Sequence, residues 1–470
     1  MGEERDQLYN EQEYFDLIRR YEEMVMKKIR YFFDVHEFEN IIDYYIECNK
    51  YQEAITASAF SIEQHPTALS LQLKKAQILI ERGQPVESLK LLNDVSRVEN
   101  QNYEVFLLKG NAYCILGKIK EAIKQFDTAL NLCLESTEEV LFEIALSFEH
   151  IQEYRAAIQY LKRAHEDYPE NTSIIYDLAY CHERTDEWHA SILYYKKYLD
   201  IEPFSEHVWF NLGNVLTRLG KYDDAINAYD FALSISPDYG SAFFNKANAL
   251  INAEKYTEAI EVYKEYLATD EEAVEVYCYI GECYEKLLDT RNARYYHNKA
   301  LEYDDGYAEA WFGLGMTAFI EKDLDKSIVF FEKATRLEDE APEYWFMLAS
   351  AQYKKGYTQS ASDSYRKTVF LDPEDVEAWL NYSNMWFELH QLDKAIRILN
   401  ESYELHWKNS TVNFRLAGYH LLNGQKDLAI NFLEKAFKGN APTAISEFLS
   451  CIPNSELPEE IILLIKKHNS

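Results

Sequence analysis

The feature that most constrains this chain of 470 residues is a pattern of residue types that recurs about every 34 residues. It is clearest in residues 206–239, where apolar residues fall at helical spacing before and after a break at Gly220. This spacing predicts two helices, because Gly220 tolerates the left-handed backbone that closes the first and Pro237 ends the second. One helix pair leaves an apolar face uncovered, so each pair must stack on a neighbour.

The same unit can be followed along most of the sequence. The fourth position of a unit is usually aromatic, as in Trp209 and Trp379, and the eighth position is small, as in Gly213 and Ala349. One extra residue near Thr137 separates the earlier units from the later ones. The units start at residues 35, 69, 103, 138, 172, 206, 240, 274, 308, 342, 376 and 410.

This combination of aromatic, small and proline positions resembles the tetratricopeptide repeat family. The resemblance implies an all-α fold, a right-handed αα-superhelix (a solenoid) of antiparallel helix pairs. It implies twelve repeats in residues 35–443, an N-terminal capping helix in residues 1–34 and C-terminal capping helices in residues 444–470. The first and last units depart most from the pattern, with Ile42, Ser58 and Asn413 at positions of other character. Terminal repeats are expected to be atypical because they meet solvent or a cap.

Composition narrows the classes of partner. The formal net charge of −32 argues against nucleic acid or an anionic membrane surface as the main ligand, and it favours a neutral to basic protein segment. Seven cysteines without a C-x-x-C pair indicate reduced thiols, and the sequence shows neither a secretory signal nor an apolar stretch of membrane-spanning length. We therefore expect a cytoplasmic protein.

The sequence contains no convincing catalytic, cofactor or metal motif. Gly313, Gly315 and Ala318 fit G-x-G-x-x-A, but they lie inside the expected first helix of a repeat, whereas a dinucleotide site needs a strand before that loop. The closest pair of histidines, His182 and His189, straddles a predicted turn and is better explained by packing. We therefore predict a non-catalytic protein with no cofactor and no bound metal.

In the family that this chain resembles, the first helices of the repeats line a concave groove. The fifth position predicts an aromatic row along it, interrupted by Cys278 and ending at Phe414. The sixth and ninth positions carry asparagines, whose carboxamides both donate and accept hydrogen bonds and so suit the backbone of an extended peptide. Both features are also common in repeats that have no known ligand. The candidate groove residues are Phe142, Tyr176, Phe210, Asn211, Asn214, Phe244, Asn245, Asn248, Phe312, Phe346, Asn381 and Asn384.

The sequence thus predicts a protein–protein interaction scaffold that binds an extended, neutral to basic segment, centred on residues 210–248. Glutamates at the second position of several repeats, such as Glu309 and Glu343, argue against binding of an acidic peptide C-terminus. Two alternatives stay open: a structural protein that assembles with itself, and a regulatory module that controls a partner enzyme. The identity of the partner, the oligomeric state and the choice between concave and convex faces are not determined by the sequence.

Overall fold

A computed structural model describes residues 2–134, 137–268, 272–439, 444–452 and 457–469. These residues form 27 α-helices, and they contain no strand. The all-α class and the consecutive helix pairs expected from the pattern are confirmed. The helices are α1 (Gly2–Lys27), α2 (Val35–Glu47), α3 (Tyr51–Gln64), α4 (Leu69–Glu81), α5 (Pro85–Val98), α6 (Tyr103–Ile115), α7 (Ile119–Leu132), α8 (Thr137–His150), α9 (Tyr154–Asp167), α10 (Thr172–Arg184), α11 (Trp188–Ile201), α12 (Glu206–Arg218), α13 (Tyr222–Ile235), α14 (Gly240–Asn252), α15 (Tyr256–Leu267), α16 (Val274–Lys286), α17 (Thr290–Tyr303), α18 (Ala308–Ile320), α19 (Leu324–Leu337), α20 (Pro342–Lys355), α21 (Thr358–Leu371), α22 (Val376–Glu388), α23 (Leu392–His406), α24 (Ser410–Leu422), α25 (Lys426–Phe437), α26 (Ser446–Ser450) and α27 (Glu459–Asn469).

From α2 to α25 the helices form twelve pairs, and in each pair the first helix packs against the second. The chain divides into two compact units, Met1–Tyr239 and Gly240–Ser470. Within a unit, a second helix also contacts the next first helix, as α17 contacts α18, and successive first helices touch, as α16 touches α18. Within each unit a pair is therefore covered by its neighbours, as expected of repeats that cannot bury their apolar faces alone.

The turn between the helices of a pair has the same backbone geometry in all twelve pairs. A residue just past the end of the first helix has a positive φ, whether it is a glycine such as Gly220 (70°) or another residue such as Leu288 (59°). The next amide then donates back into the helix, as Lys221 N donates to Leu216 O at 2.9 Å and Asp289 N to Tyr284 O at 2.9 Å. This bond satisfies a carbonyl that the end of the helix would leave unpaired.

The two helices of a pair approach closely at the small eighth position. A Cβ added to Gly213 would lie 2.5 Å from the ring of Tyr229, and one added to Gly315 would lie 2.4 Å from the ring of Phe331. Both rings belong to the second helix of the same pair and are buried. Glycine is therefore required there by packing, because any side chain would displace the ring.

Both ends of the chain carry additional helices. In α1, Tyr21 is buried and packs edge-on against Phe33, which leads into the first pair. At the other end, α26 has only five residues, and Arg415 of α24 forms an ion pair with Glu447 of α26. The last four residues of the predicted repeat array, 440–443, lie outside the described residues. The division into an array and two caps remains our proposal.

Candidate partner-binding surface

We use the name first-helix surface for the side of each first helix that carries the second, fifth, sixth and ninth positions of its repeat. We describe this surface separately in each unit. The aromatic residues predicted at the fifth position are half-buried, and each of five packs against a ring of the second helix in its own pair. The ring centroids are 5.4–6.3 Å apart, a distance at which aromatic pairs attract. These pairs are Tyr176–Tyr195, Phe210–Tyr229, Phe244–Tyr263, Phe312–Phe331 and Phe346–Tyr365.

The aromatic row is less regular at its C-terminal end than the sequence suggested. Phe142 is half-buried against the core that contains Phe126. Cys278 is buried where the row was expected to be interrupted. Phe414 is fully buried and packs edge-on against Phe437, so the expectation that it would line a groove is wrong. The last repeat uses this ring for its own core because the chain continues into the C-terminal helices.

Most of the predicted asparagines take part in hydrogen bonds within the chain. Asn214 accepts from the Tyr229 hydroxyl at 2.9 Å, and Asn248 accepts from the Tyr263 hydroxyl at 3.3 Å. Asn211 donates to the hydroxyl of Tyr176 at 3.2 Å. A carboxamide has two N–H donors and two acceptor lone pairs, so one such bond uses only part of its capacity.

The asparagines of α22 are held in the same way. Asn381 donates to the carbonyl of Glu377 at 2.9 Å, within its own helix. Asn384 donates to Glu388 at 2.8 Å and accepts from Arg415 at 3.2 Å, so both ends of its carboxamide are engaged. Asn245 of α14 is half-buried beside Phe244. Their role toward a ligand remains a prediction.

The structure brings together carboxylates that are far apart in the sequence. In the second unit, Glu275 and Glu282 of α16, Glu309 of α18 and Glu343 of α20 act electrostatically on one another or on Tyr279. We call these four glutamates the acidic patch. All four are exposed residues. The patch therefore presents several negative charges on one side of three neighbouring first helices.

The carboxyl of Glu282 responds both to the protein around it and to the neighbouring charges. Its pKa is raised from 4.5 to about 7, first because the surrounding protein removes hydration from the carboxyl and then because Glu285, Glu309 and Glu343 repel its charge. Lys286 opposes the shift only weakly. A bound cation would relieve this repulsion, since an opposite charge favours the ionised carboxylate.

A smaller acidic pair lies in the first unit. Burial raises the pKa of Asp177 on α10 from 3.8 to about 7, and the charge of Glu149 on α8 adds to the shift. The pKa of Glu149 is raised by burial as well, and its Oε1 is buried without a hydrogen-bond partner among the described residues. Carboxyl groups with raised pKa values thus occur on first helices of both units.

The sequence contained part of this signal. The glutamates at the second position were visible, and we used them only to argue against an acidic ligand. What the repeat pattern could not show is that Glu282, at the ninth position, lies among them, because that depends on how neighbouring first helices pack. Acidic residues of the first helices, including Glu282 at the ninth position, were therefore missed as parts of the candidate surface.

Other kinds of site find little support among the described residues. No group of three or more His, Cys, Asp or Glu side chains in them could hold a metal ion. Gly313 and Gly315 lie inside α18, and a Cβ at Gly313 would lie 2.1 Å from the ring of His297, so helix packing accounts for them. No helix in the described part is long and apolar enough to cross a membrane.

The fold and surface together define an α-solenoid, built of stacked helix pairs with exposed first helices. Models of the tetratricopeptide repeat match residues 142–206, 210–274 and 346–410, and a second such model matches residues 308–340. The chain belongs to the tetratricopeptide repeat family, and its fold is that of a protein-interaction scaffold.

Solved structures of similar fold include yeast Tom70, at 15% identity over 92% of this chain and 96% of that one, with a TM-score of 0.45. The structure of Naa15/Naa10 bound to HypK-THB is 16% identical over 85% of this chain and 68% of that one, with a TM-score of 0.40. A thermophilic tetratricopeptide repeat protein of Thermus thermophilus matches at 23% identity over 38% and 98%, with a TM-score of 0.34. No curated protein sequence matches this chain.

Proposed function

We propose that this protein is a non-catalytic scaffold that holds an extended, basic segment of a partner protein against its first-helix surface. The acidic patch of the second unit supplies the main contact. The observation that carries the proposal is that Glu309 and Glu343, on two further first helices, repel the charge of Glu282 and add to the rise that burial causes in its pKa. Lysine or arginine side chains of a partner would neutralise that repulsion on binding.

Aromatic rings beside the patch suit the same partner. Tyr279 stacks on Tyr263 at 5.6 Å, and Phe312 stacks on Tyr344 at 4.6 Å. Tyr279 and Phe312 are half-buried, so each keeps some surface for a ligand. Rings of this kind attract cationic side chains and pack against the methylene stems of lysine and arginine. Alternation of carboxylates and rings therefore favours a basic segment over a neutral one.

A peptide-display selection on the full chain would test this proposal. The protein is expected to enrich peptides rich in lysine and arginine. The triple variant Glu282→Gln, Glu309→Gln and Glu343→Gln should bind them at least about tenfold more weakly, because it removes charge from the patch. Its affinity should also depend less on salt, since fewer charges are screened.

The matched control carries the same change of charge elsewhere on the second unit. Glu258→Gln, Glu265→Gln and Glu434→Gln alter exposed residues of second helices and should leave affinity nearly unchanged. Selection of peptides without basic residues would overturn the proposal, as would equal weakening by the two triple variants.

The asparagines predicted from the sequence are tested separately. Alanine at Asn211, Asn214, Asn245 and Asn248 should weaken peptide binding, since each lost hydrogen bond contributes about 0.5–1.5 kcal/mol. Because Asn214 and Asn248 also accept bonds from tyrosines of their own pairs, unfolding must be measured on the same variant. Unchanged affinity in a folded quadruple variant would remove these residues from the binding surface.

Self-association is a second candidate, and exposed apolar residues near the N-terminus favour it. Met26 is 76% exposed, and Phe32, which is 72% exposed, lines a cavity of about 440 Å³ together with Val25, Ile29 and Phe60. Apolar residues in such a group are typical of contact surfaces. Light scattering over a concentration series decides: a constant monomer mass would exclude this candidate and leave the scaffold proposal untouched.

A further inference from the structure

A cavity of about 310 Å³ lies on the second unit between α21, α22 and α23. Three of the side chains that line it are cationic: Arg366 on α21, and Lys394 and Arg397 on α23. One lining side chain, Glu401, is acidic. The chain as a whole has 80 acidic and 48 basic residues, so a cavity dominated by cations runs against the charge of the molecule.

The cations have no ionic partner among the described residues. Arg366, Lys394 and Arg397 are exposed, and no carboxylate there lies within salt-bridge distance of any of them. Lys394 instead places its ammonium 3.9 Å from the ring centroid of Trp386, which also lines the cavity. That contact fixes one positive charge at the wall of the cavity.

Two buried hydroxyls that line the cavity share one hydrogen bond, which uses one of their two protons. Ser362 and Tyr382 are 3% and 4% exposed, and their hydroxyls share one hydrogen bond of 3.0 Å. One hydroxyl donates in that bond and the other accepts, so the accepting hydroxyl keeps its own proton to donate. A buried donor of this kind is costly when unpaired, and a ligand oxygen in the cavity would satisfy it.

We propose that this cavity binds a phosphoryl group. A phosphoryl group carries up to two negative charges and three acceptor oxygens, which matches cations and a donor arriving from three different helices. The guanidinium groups of Arg366 and Arg397 can each form paired hydrogen bonds with such oxygens. The volume is at the lower end for ligand cavities, which suits a small phosphate or one phosphorylated side chain.

This site is separate from the acidic patch. It lies among α21, α22 and α23 and not along α16, α18 and α20, and it attracts ligands of the opposite charge. Failure of one proposal therefore leaves the other in place, because peptide selection and phosphate binding are measured independently.

Calorimetric titration of the full chain at constant ionic strength tests the proposal. The probes are inorganic phosphate, O-phosphoserine and serine. Saturable binding of either phosphate-bearing probe, without binding of serine, is the expected result. Tighter binding of O-phosphoserine would identify a phosphorylated side chain as the source, whereas equal binding would identify the free anion.

The double variant Arg366→Gln with Arg397→Gln should lose at least about tenfold in phosphate affinity, because both guanidinium groups are removed. Arg291→Gln removes an exposed cation of α17, outside the cavity, and should bind as the unaltered chain does. Ser362→Ala with Tyr382→Phe removes both hydroxyls and should weaken binding severalfold. No saturable binding by the unaltered chain, or equal weakening by Arg291→Gln, would overturn the proposal.

Discussion

The phenolic hydroxyl of Tyr229 on α13 donates a hydrogen bond of 2.9 Å to Oδ1 of Asn214 on α12. The same tyrosine ring fills the space beside Gly213. Tyr263 and Asn248 repeat the hydrogen bond in the second unit at 3.3 Å. An asparagine that was expected to face a ligand thus also forms a hydrogen bond between the two helices of its pair. Its substitution is therefore expected to affect stability, and a test of its role in binding must measure stability as well.

Tyr229→Phe should lower the free energy of unfolding by about 1 kcal/mol, because it keeps the ring but removes the hydroxyl that donates to Asn214 and also bonds to Thr217 at 3.2 Å. Urea unfolding followed by circular dichroism measures the change. Tyr357→Phe is the control, since Tyr357 is 49% exposed and its hydroxyl makes no hydrogen bond in the described structure. Equal midpoints for Tyr229→Phe and the unaltered chain would show that this bond contributes nothing.

Two glycines of α12 and its turn should respond differently to alanine. At Gly220 a Cβ meets nothing within 4 Å, so Gly220→Ala costs only the left-handed backbone, about 1 kcal/mol. At Gly213 the Cβ would lie 2.5 Å from the Tyr229 ring, and overpacking of this kind costs about 1–3 kcal/mol. Urea midpoints should fall further for Gly213→Ala, and the reverse order would contradict the packing described above.

The reverse substitution, of a side chain by glycine at a positive φ, can be made at Leu288. This leucine has a φ of 59° in the turn after α16 and is 73% exposed. Leu288→Gly relieves the strained backbone but adds freedom to the unfolded chain, so a net gain of about 0.5 kcal/mol is expected. Leu337→Gly, near the end of α19, should instead cost about 1 kcal/mol. A loss of stability on Leu288→Gly would show that the leucine side chain contributes more than its backbone costs.

The helix pairs could be predicted because their signals are local in sequence. Apolar spacing marks each helix and the turn follows at a fixed distance, so even a turn that contains Leu288 or His390 occupies the place where other pairs have glycine. The residue type alone does not predict a positive φ at these positions. The constraint comes from the two helices on either side, which fix the turn between them.

Asn413 shows where the pattern misled. The sequence suggested a departure, because other repeats have an aromatic residue at that position. The structure shows that Asn413 Nδ2 donates to the carbonyl of Trp407 at 2.9 Å, six residues earlier. Trp209 and Trp379 make the same bond through Nε1, at 2.8 and 3.0 Å. In the last repeat the asparagine thus supplies this hydrogen bond without an aromatic ring.

The acidic patch could not be predicted to the same degree. Glu282, Glu309 and Glu343 belong to three repeats, and their mutual influence depends on how α16, α18 and α20 lie side by side. The repeat pattern says which residues face outward but not which of them share one environment. Interactions of this kind are therefore the part of the candidate surface that required the structure.

The raised pKa values of Asp177 and Glu282 predict how stability changes with pH. Both carboxyls have folded-state pKa values of about 7, above their ordinary values of 3.8 and 4.5. Between those limits the folded chain holds protons that the unfolded chain has released. The free energy of unfolding therefore decreases as pH rises through this window. Their stabilising contribution is fully present below the ordinary values and is lost near pH 7.

Asp177→Asn and Glu282→Gln mimic the protonated forms at every pH. Relative to the unaltered chain, each should be more stable at about pH 8 by about 1 kcal/mol, a figure reduced from the full pKa shift because water screens these side chains. Near pH 4 the difference should shrink, since the carboxyls are then protonated in the folded chain. Urea unfolding at both pH values measures this, with Glu258→Gln as the matched charge control. A gain of stability that is the same at both pH values would contradict the assigned shifts, because only titration within that window makes the gain depend on pH.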